Sequence, residues 1–136
     1  MTSEVRNAAT VILCRERENG AEILMGQRGS GAAFMPNRFV FPGGAVDADD
    51  VALAVSLTDG FQPDPRLLLH SDGDLAAALP LAGLRELWEE TGLAPKGDPE
   101  QKIDVVPESW RGYFNRFGAP PSDGLRFFFR AITPPG

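Results

Sequence analysis

Three glutamates, Glu86, Glu89 and Glu90, sit at positions i, i+3 and i+4 of one short stretch. In an α-helix that spacing puts all three carboxylates on one face. Leu84, Leu87 and Trp88, with Leu81 upstream, fall on the opposite face and would pack. Like charges at this spacing cost roughly 0.2–0.5 kcal/mol, and carboxylates in a last turn face the negative end of the helix dipole. A hard divalent cation removes both costs, and oxygen-only ligands suit Mg2+ or Mn2+. Without a cation the same residues form a solvated acidic face on which Arg85 pairs locally.

The elements that must position this face can be read on either side of it. Gly92 is placed just past the helix end, where a left-handed backbone is needed and glycine has no Cβ to oppose it. Upstream, Pro80 either separates Leu75–Leu79 from the acidic helix or opens that helix, and a helix over about 80–91 is expected, with Asp74 as an N-cap ahead of Leu75. Earlier still, Phe39-Val40-Phe41 reads as a strand running into Pro42-Gly43-Gly44.

Together these residues resemble a known pattern. Arg85-Glu86-Leu87-Trp88-Glu89-Glu90-Thr91-Gly92-Leu93 is similar, position for position, to the second half of the Nudix box, Arg-Glu-apolar-x-Glu-Glu-x-Gly-apolar. The first half of that box is Gly, five residues, then Glu; here Gly44 is followed at that spacing by Asp50. The family has seven residues between that acid and the arginine, whereas here residues 51–84 intervene, which amounts to an insertion at about 51–77. The shorter Asp50 and the insertion leave the role of Asp50 open.

The resemblance implies an α/β (α+β) fold, a Nudix-like α/β/α sandwich around a mixed sheet. It implies a divalent-metal-dependent hydrolase, using Mg2+ or Mn2+, that cleaves a phosphoanhydride in a nucleoside diphosphate linked to another group. Glu89 and Glu90 would be metal ligands, and Glu86 either a third ligand or the base that orients water. Arg85 would hold a glutamate by an ion pair, and Gly43 and Gly44 would let backbone approach the metal and phosphates. A finer resemblance, carried by Ile23–Arg28, Phe34-Met35-Pro36, Phe39–Gly44, Val46-Asp47 and Asp49-Asp50, is to the branch with an insertion in its box that includes peroxisomal coenzyme A diphosphatases. It makes CoA or acyl-CoA a candidate substrate. The alternative is a non-catalytic Nudix-fold domain that keeps nucleotide or CoA recognition.

The remaining chain reads as a single domain over 1–136. A net charge of −6 argues against nucleic-acid binding through a basic surface. A single cysteine excludes an internal disulfide, and no apolar run marks a leader or a membrane span, so a cytoplasmic location is expected. Ala8–Cys14 and Glu22–Arg28 read as strands joined by an Asn19-Gly20 turn into a hairpin, with Cys14 as a core thiol. Gly29–Asn37 is a loop of small residues flanked by Arg28 and Arg38, either surface charges or a pair of cations for substrate phosphates.

Ala52, Leu53 and Val55 begin a short helix in the insertion, which Asp59-Gly60, Pro63, Pro65 and Asp72-Gly73 then break into loops beside the expected site entrance. His70 is read as structural or exposed. Beyond the box, 107–118 reads as a helix with an apolar stripe of Trp110, Phe114 and Phe117, and Leu125–Ile132 as a strand. Later strands and a closing helix of the Nudix fold are expected to be missing, and the open sheet edge makes a homodimer a candidate assembly.

Overall fold

In the computed structural model, residues 4–33, 36–57 and 60–132 are described. Phe34 and Met35 of the small-residue loop, Asp59 of the predicted turn, and 133–136 lie outside them. The fold is α+β. Among the described residues six short strands pair as three antiparallel two-stranded ladders, and three α-helices supply much of the core.

The first ladder joins β1 (Ala8–Thr10) to β6 (Gly43–Ala45), with Ala9 opposite Gly44 and Thr10 opposite Gly43. A Cβ on Gly43 would run into the Ala9 carbonyl oxygen, so the two backbones meet this closely only at glycine. The second ladder, β2 (Cys14–Arg17) with β3 (Gly20–Ile23), is the predicted hairpin in a shifted register. The Glu18-Asn19 connection sets Arg17 opposite Gly20, and Ala8–Thr10 is left to pair with the glycines instead. Cys14 is exposed on this hairpin rather than buried in a core. The third ladder, β4 (Gly26–Gln27) with β5 (Phe39–Val40), closes the base of the Arg28–Arg38 loop.

Helix α1 (Ala48–Ser56) starts at a capping box: the Asp47 side chain accepts from Asp49 N–H, and Asp50 Oδ2 accepts from Asp47 N–H at 2.9 Å. Helix α2 (Gly73–Thr91) is longer than predicted and carries Pro80 inside it. Its N-cap is Asp72, not Asp74, and Asp72 Oδ1 accepts from Leu75 N–H at 3.0 Å. Proline removes one backbone donor, yet Ala76, Ala78 and Leu81 on either side of it are fully buried, and that packing carries the helix through. Gly92 ends α2 in the left-handed conformation, at φ 74°, as the sequence predicts.

Leu53 from α1 and Leu57 at its C-cap, Leu81 and Leu84 from α2, and Phe61, Trp110 and Tyr113 form one core. The start of the insertion is therefore core material, not an appended loop. The predicted 107–118 helix is a short 3-10 turn (Glu108–Trp110) running into α3 (Arg111–Phe117), and Tyr113 joins Trp110 as its buried aromatic. No strand forms over 125–132 among the described residues. Phe127 N–H is instead bonded to Asp64 Oδ2 at 2.9 Å, and Phe128, Phe129 and Ile132 are exposed. His70 is exposed, its ring 5.2 Å from that of Phe127. No helix among the described residues is long and apolar enough to cross a membrane.

Candidate functional site

Arg85 is the centre of the acidic face. It lies on α2 with its residue only 5% exposed, and each of its five N–H donors has an acceptor. Nε donates to Asp50 Oδ1 at 2.8 Å, and Nη2 donates to Asp50 Oδ2 at 3.0 Å and to the Ala45 carbonyl at 3.2 Å. Nη1 donates to Glu86 Oε1 at 3.2 Å and Glu89 Oε2 at 3.0 Å. The guanidinium thus joins α1, β6 and two of the three box glutamates, and these bonds raise its affinity for its proton.

Asp50 is equally committed. Its two oxygens accept four N–H groups: two from Arg85, one from Asp47 and one from Trp110 Nε1 at 2.9 Å. A carboxylate offers about four acceptor positions, so none is left for a cation. Asp50, whose role the sequence left open, is fully buried and holds the arginine.

Glu86 is half-buried, and its carboxyl is pushed above its ordinary value of 4.5 by that burial. The Arg85 charge opposes the shift, and the Glu89 and Glu90 charges add to it. Glu89 and Glu90 are exposed one turn further along the same helix. Gly44 on β6 lies directly against Glu86: a Cβ there would stand 2.6 Å from Glu86 Cδ and Oε1. Glycine at this position is what lets the glutamate side chain rest on the β6 backbone.

These features fit a hard divalent cation in kind. The donors are carboxylate oxygens, burial with the added charges of Glu89 and Glu90 penalises Glu86 ionisation, and Gly44 leaves a cradle that a side chain would fill. Among the described residues no three acidic, histidine or cysteine side chains converge as a ligand cluster, and Arg85 Nη1 takes one oxygen each from Glu86 and Glu89.

Arg28 and Arg38 are brought together with each other but not with the glutamates. Arg28 N–H donates to the Arg38 carbonyl at 2.9 Å at the base of their loop, and no ion pair among the described residues joins either to the acidic face. Arg28 Nε is buried without a partner. Three participants were not singled out for the site in the sequence: the Ala45 carbonyl, Trp110 and the Asp49–Ser109 pair. Of these only Trp110 carried a signal, because a buried indole N–H usually requires an acceptor.

Two grooves lie elsewhere on the surface. One, of about 790 Å³, runs between Gly60–Arg66 and Pro120–Arg126; the other, of about 550 Å³, is lined by Lys96, Lys102, Phe114 and Arg116.

An α+β domain with an arginine-anchored acidic helix end beside a glycine strand defines a class, and comparison with known proteins gives the family. No model of a known protein family matches the chain. It is 37% identical over 94 residues to putative nudix hydrolase 7 of Caenorhabditis elegans, an alignment covering 68% of this chain and 23% of that protein. Its fold is similar to the crystal structure of a NUDIX hydrolase from Alicyclobacillus acidocaldarius, with a TM-score of 0.75 and 27% identity, over 99% of this chain and 65% of the other. The chain belongs to the Nudix hydrolase family. It spans less than a quarter of the worm relative and about two thirds of the bacterial one.

Proposed function

We propose that this domain is a divalent-metal-dependent hydrolase that cleaves a phosphoanhydride bond in a nucleoside diphosphate linked to another group. The observation that carries this reading is the buried Arg85 fork, which holds Glu86 and Glu89 side by side on α2 against the Gly44 backbone. Glu89 and Glu90 would hold Mg2+ or Mn2+, with Glu86 either a third ligand or the base that orients water, and with backbone at Gly43 and Gly44 close by. The cation would neutralise charge developing on phosphate oxygens and make bound water more acidic.

The chain's own residues do the rest. With its proton favoured by burial and by the neighbouring glutamates, Glu86 is suited to take a proton from water as the anhydride opens. Arg85 fixes the direction of both carboxylates and has no donor to spare for substrate. Charge for the substrate's phosphates must come from elsewhere, and Arg28, with its unpartnered Nε, is the better candidate of the two loop arginines.

The test is product analysis by mass spectrometry after incubation with CoA derivatives, ADP-ribose, dinucleotides and nucleoside triphosphates, with Mg2+ or Mn2+, beside Glu89→Gln. Metal-dependent cleavage lost in the variant establishes the hydrolase and its substrate class. Binding of one panel member without turnover replaces it with the non-catalytic recognition domain. Sedimentation in the same buffer decides whether a homodimer forms.

A further inference from the structure

The acidic face is tied to a residue outside the box. Trp110 is fully buried, and its Nε1 donates to Asp50 Oδ1, the same oxygen that receives Arg85 Nε. The turn that carries it is gripped by the preceding acid, since Asp49 Oδ2 accepts from Ser109 N–H at 3.0 Å and from the Ser109 hydroxyl. Two consecutive acids at the start of α1 thus hold two consecutive residues, Ser109 and Trp110. Tyr113 backs the indole edge-on, with ring centroids 4.9 Å apart.

We infer that Trp110 is a positioning residue for the acidic face, its indole N–H orienting Asp50 so that Arg85 can span that carboxylate and both Glu86 and Glu89. The inference rests on the hydrolase reading above for its functional meaning, but its geometry stands apart from it. Asp50 Oδ1 has two donors, and without the indole only the arginine remains to orient that oxygen. Arg85 Nε follows Asp50, and Nη1 follows Nε because the guanidinium is planar and rigid. A displacement of the indole is thereby delivered to two glutamates on another helix. Residues that orient ligands in this indirect way typically alter metal affinity or activity by about 10–100-fold when changed.

The test uses Trp110→Phe, which keeps an aromatic ring and removes the N–H. In 15N-labelled wild-type protein the Arg85 Nε–H, buried and bonded, should give a resolved signal that exchanges slowly with water. In folded Trp110→Phe that exchange should be at least about tenfold faster and Mn2+ binding about 10–100-fold weaker, with kcat reduced more than KM is raised. An unchanged Arg85 signal in the folded variant overturns the inference.

Should the variant not fold, the wild type decides. The Trp110 indole N–H and the Arg85 Nε–H must exchange through the same opening, with rates that rise together in mild denaturant. Arg85 exchange that proceeds while the indole stays protected overturns the proposal. Wild-type protein that gives no paramagnetic broadening around Glu86 and Glu89 on Mn2+ addition would instead overturn the hydrolase reading, and the exchange comparison still decides the role of Trp110.

Discussion

Asp50 and Asp64 are two aspartates with nearly the same partners and very different surroundings. Each accepts two N–H groups from one arginine side chain, and each also holds a residue distant in sequence: Asp50 holds Trp110, and Asp64 holds the Phe127 backbone. Asp50 lies on α1 where it packs against α2 and the 3-10 turn; it is fully buried, and Arg85 is almost so. Asp64 stands at the molecule's edge, its arginine only two residues away and more than half exposed, although the partners themselves cover much of the carboxylate. Arg66 and the Phe127 N–H keep the Asp64 carboxyl well below the usual carboxylate range. The contrast teaches that the same bonds order a core in one place and only tether a segment in another, because solvent competes for the second set.

The comparison is tested most severely at Arg85. Arg85→Met should lower the unfolding free energy by about 3–5 kcal/mol, read from urea titration, because it leaves Asp50 charged and buried with half its donors gone. A loss under 1 kcal/mol would make the buried pair no more important than the exposed one.

Gly44→Ala should separate stability from function on the buried side. The added Cβ meets the far end of the Glu86 side chain, which can swing away, so unfolding should change by no more than about 1 kcal/mol. Mn2+ affinity, measured by calorimetry, should nevertheless fall about tenfold or more as the carboxylate leaves its cradle.

Glu86 provides a smaller, pH-dependent effect. Its folded value lies above the ordinary 4.5, so folding favours the protonated form, and its contribution is present below pH 4.5 and lost as pH rises through the folded value. Without cation, Glu86→Gln should therefore gain melting temperature relative to wild type as pH rises from about 4 to 7. Mg2+ at neutral pH should shrink that gap by stabilising the wild type alone.

The smallest effect is expected at the edge. Asp64→Asn should leave the global unfolding midpoint where it was, while the Phe127 amide exchanges faster with solvent. A substantial drop in the midpoint would mean that the tether, too, is part of the cooperative fold.

The acidic helix was legible from the sequence because its information is local. Glu86, Glu89 and Glu90 declare a face by spacing, and Gly92 marks the end that the structure shows at φ 74°. Family membership was legible for the same reason, being written in one contiguous nine-residue stretch. What could not be read is the pairing across distance. Asp50 meets Trp110 across sixty residues, and Phe127 bonds to an aspartate where its apolar run promised a ladder, since a strand needs a partner that its own sequence cannot supply. Pro80 misled in the opposite direction: local propensity argued for a helix boundary, and the burial of Ala76, Ala78 and Leu81 overruled it.

The place of α1 bears on how such a motif can be lengthened at all. A pattern split by some two dozen extra residues would lose its shape if the addition were slack chain, because closing a flexible loop leaves its ends free to wander. Here the added length starts inside a helix whose Leu53, with Leu57 at its C-cap, packs in one core with α2 and Phe61. Trimming the segment back to family length would therefore excavate the interior, and any natural shortening would need compensating bulk from elsewhere. Heritable variation in length should be tolerated between Gln62 and Ser71, where the chain is largely exposed, and purged between Asp50 and Phe61.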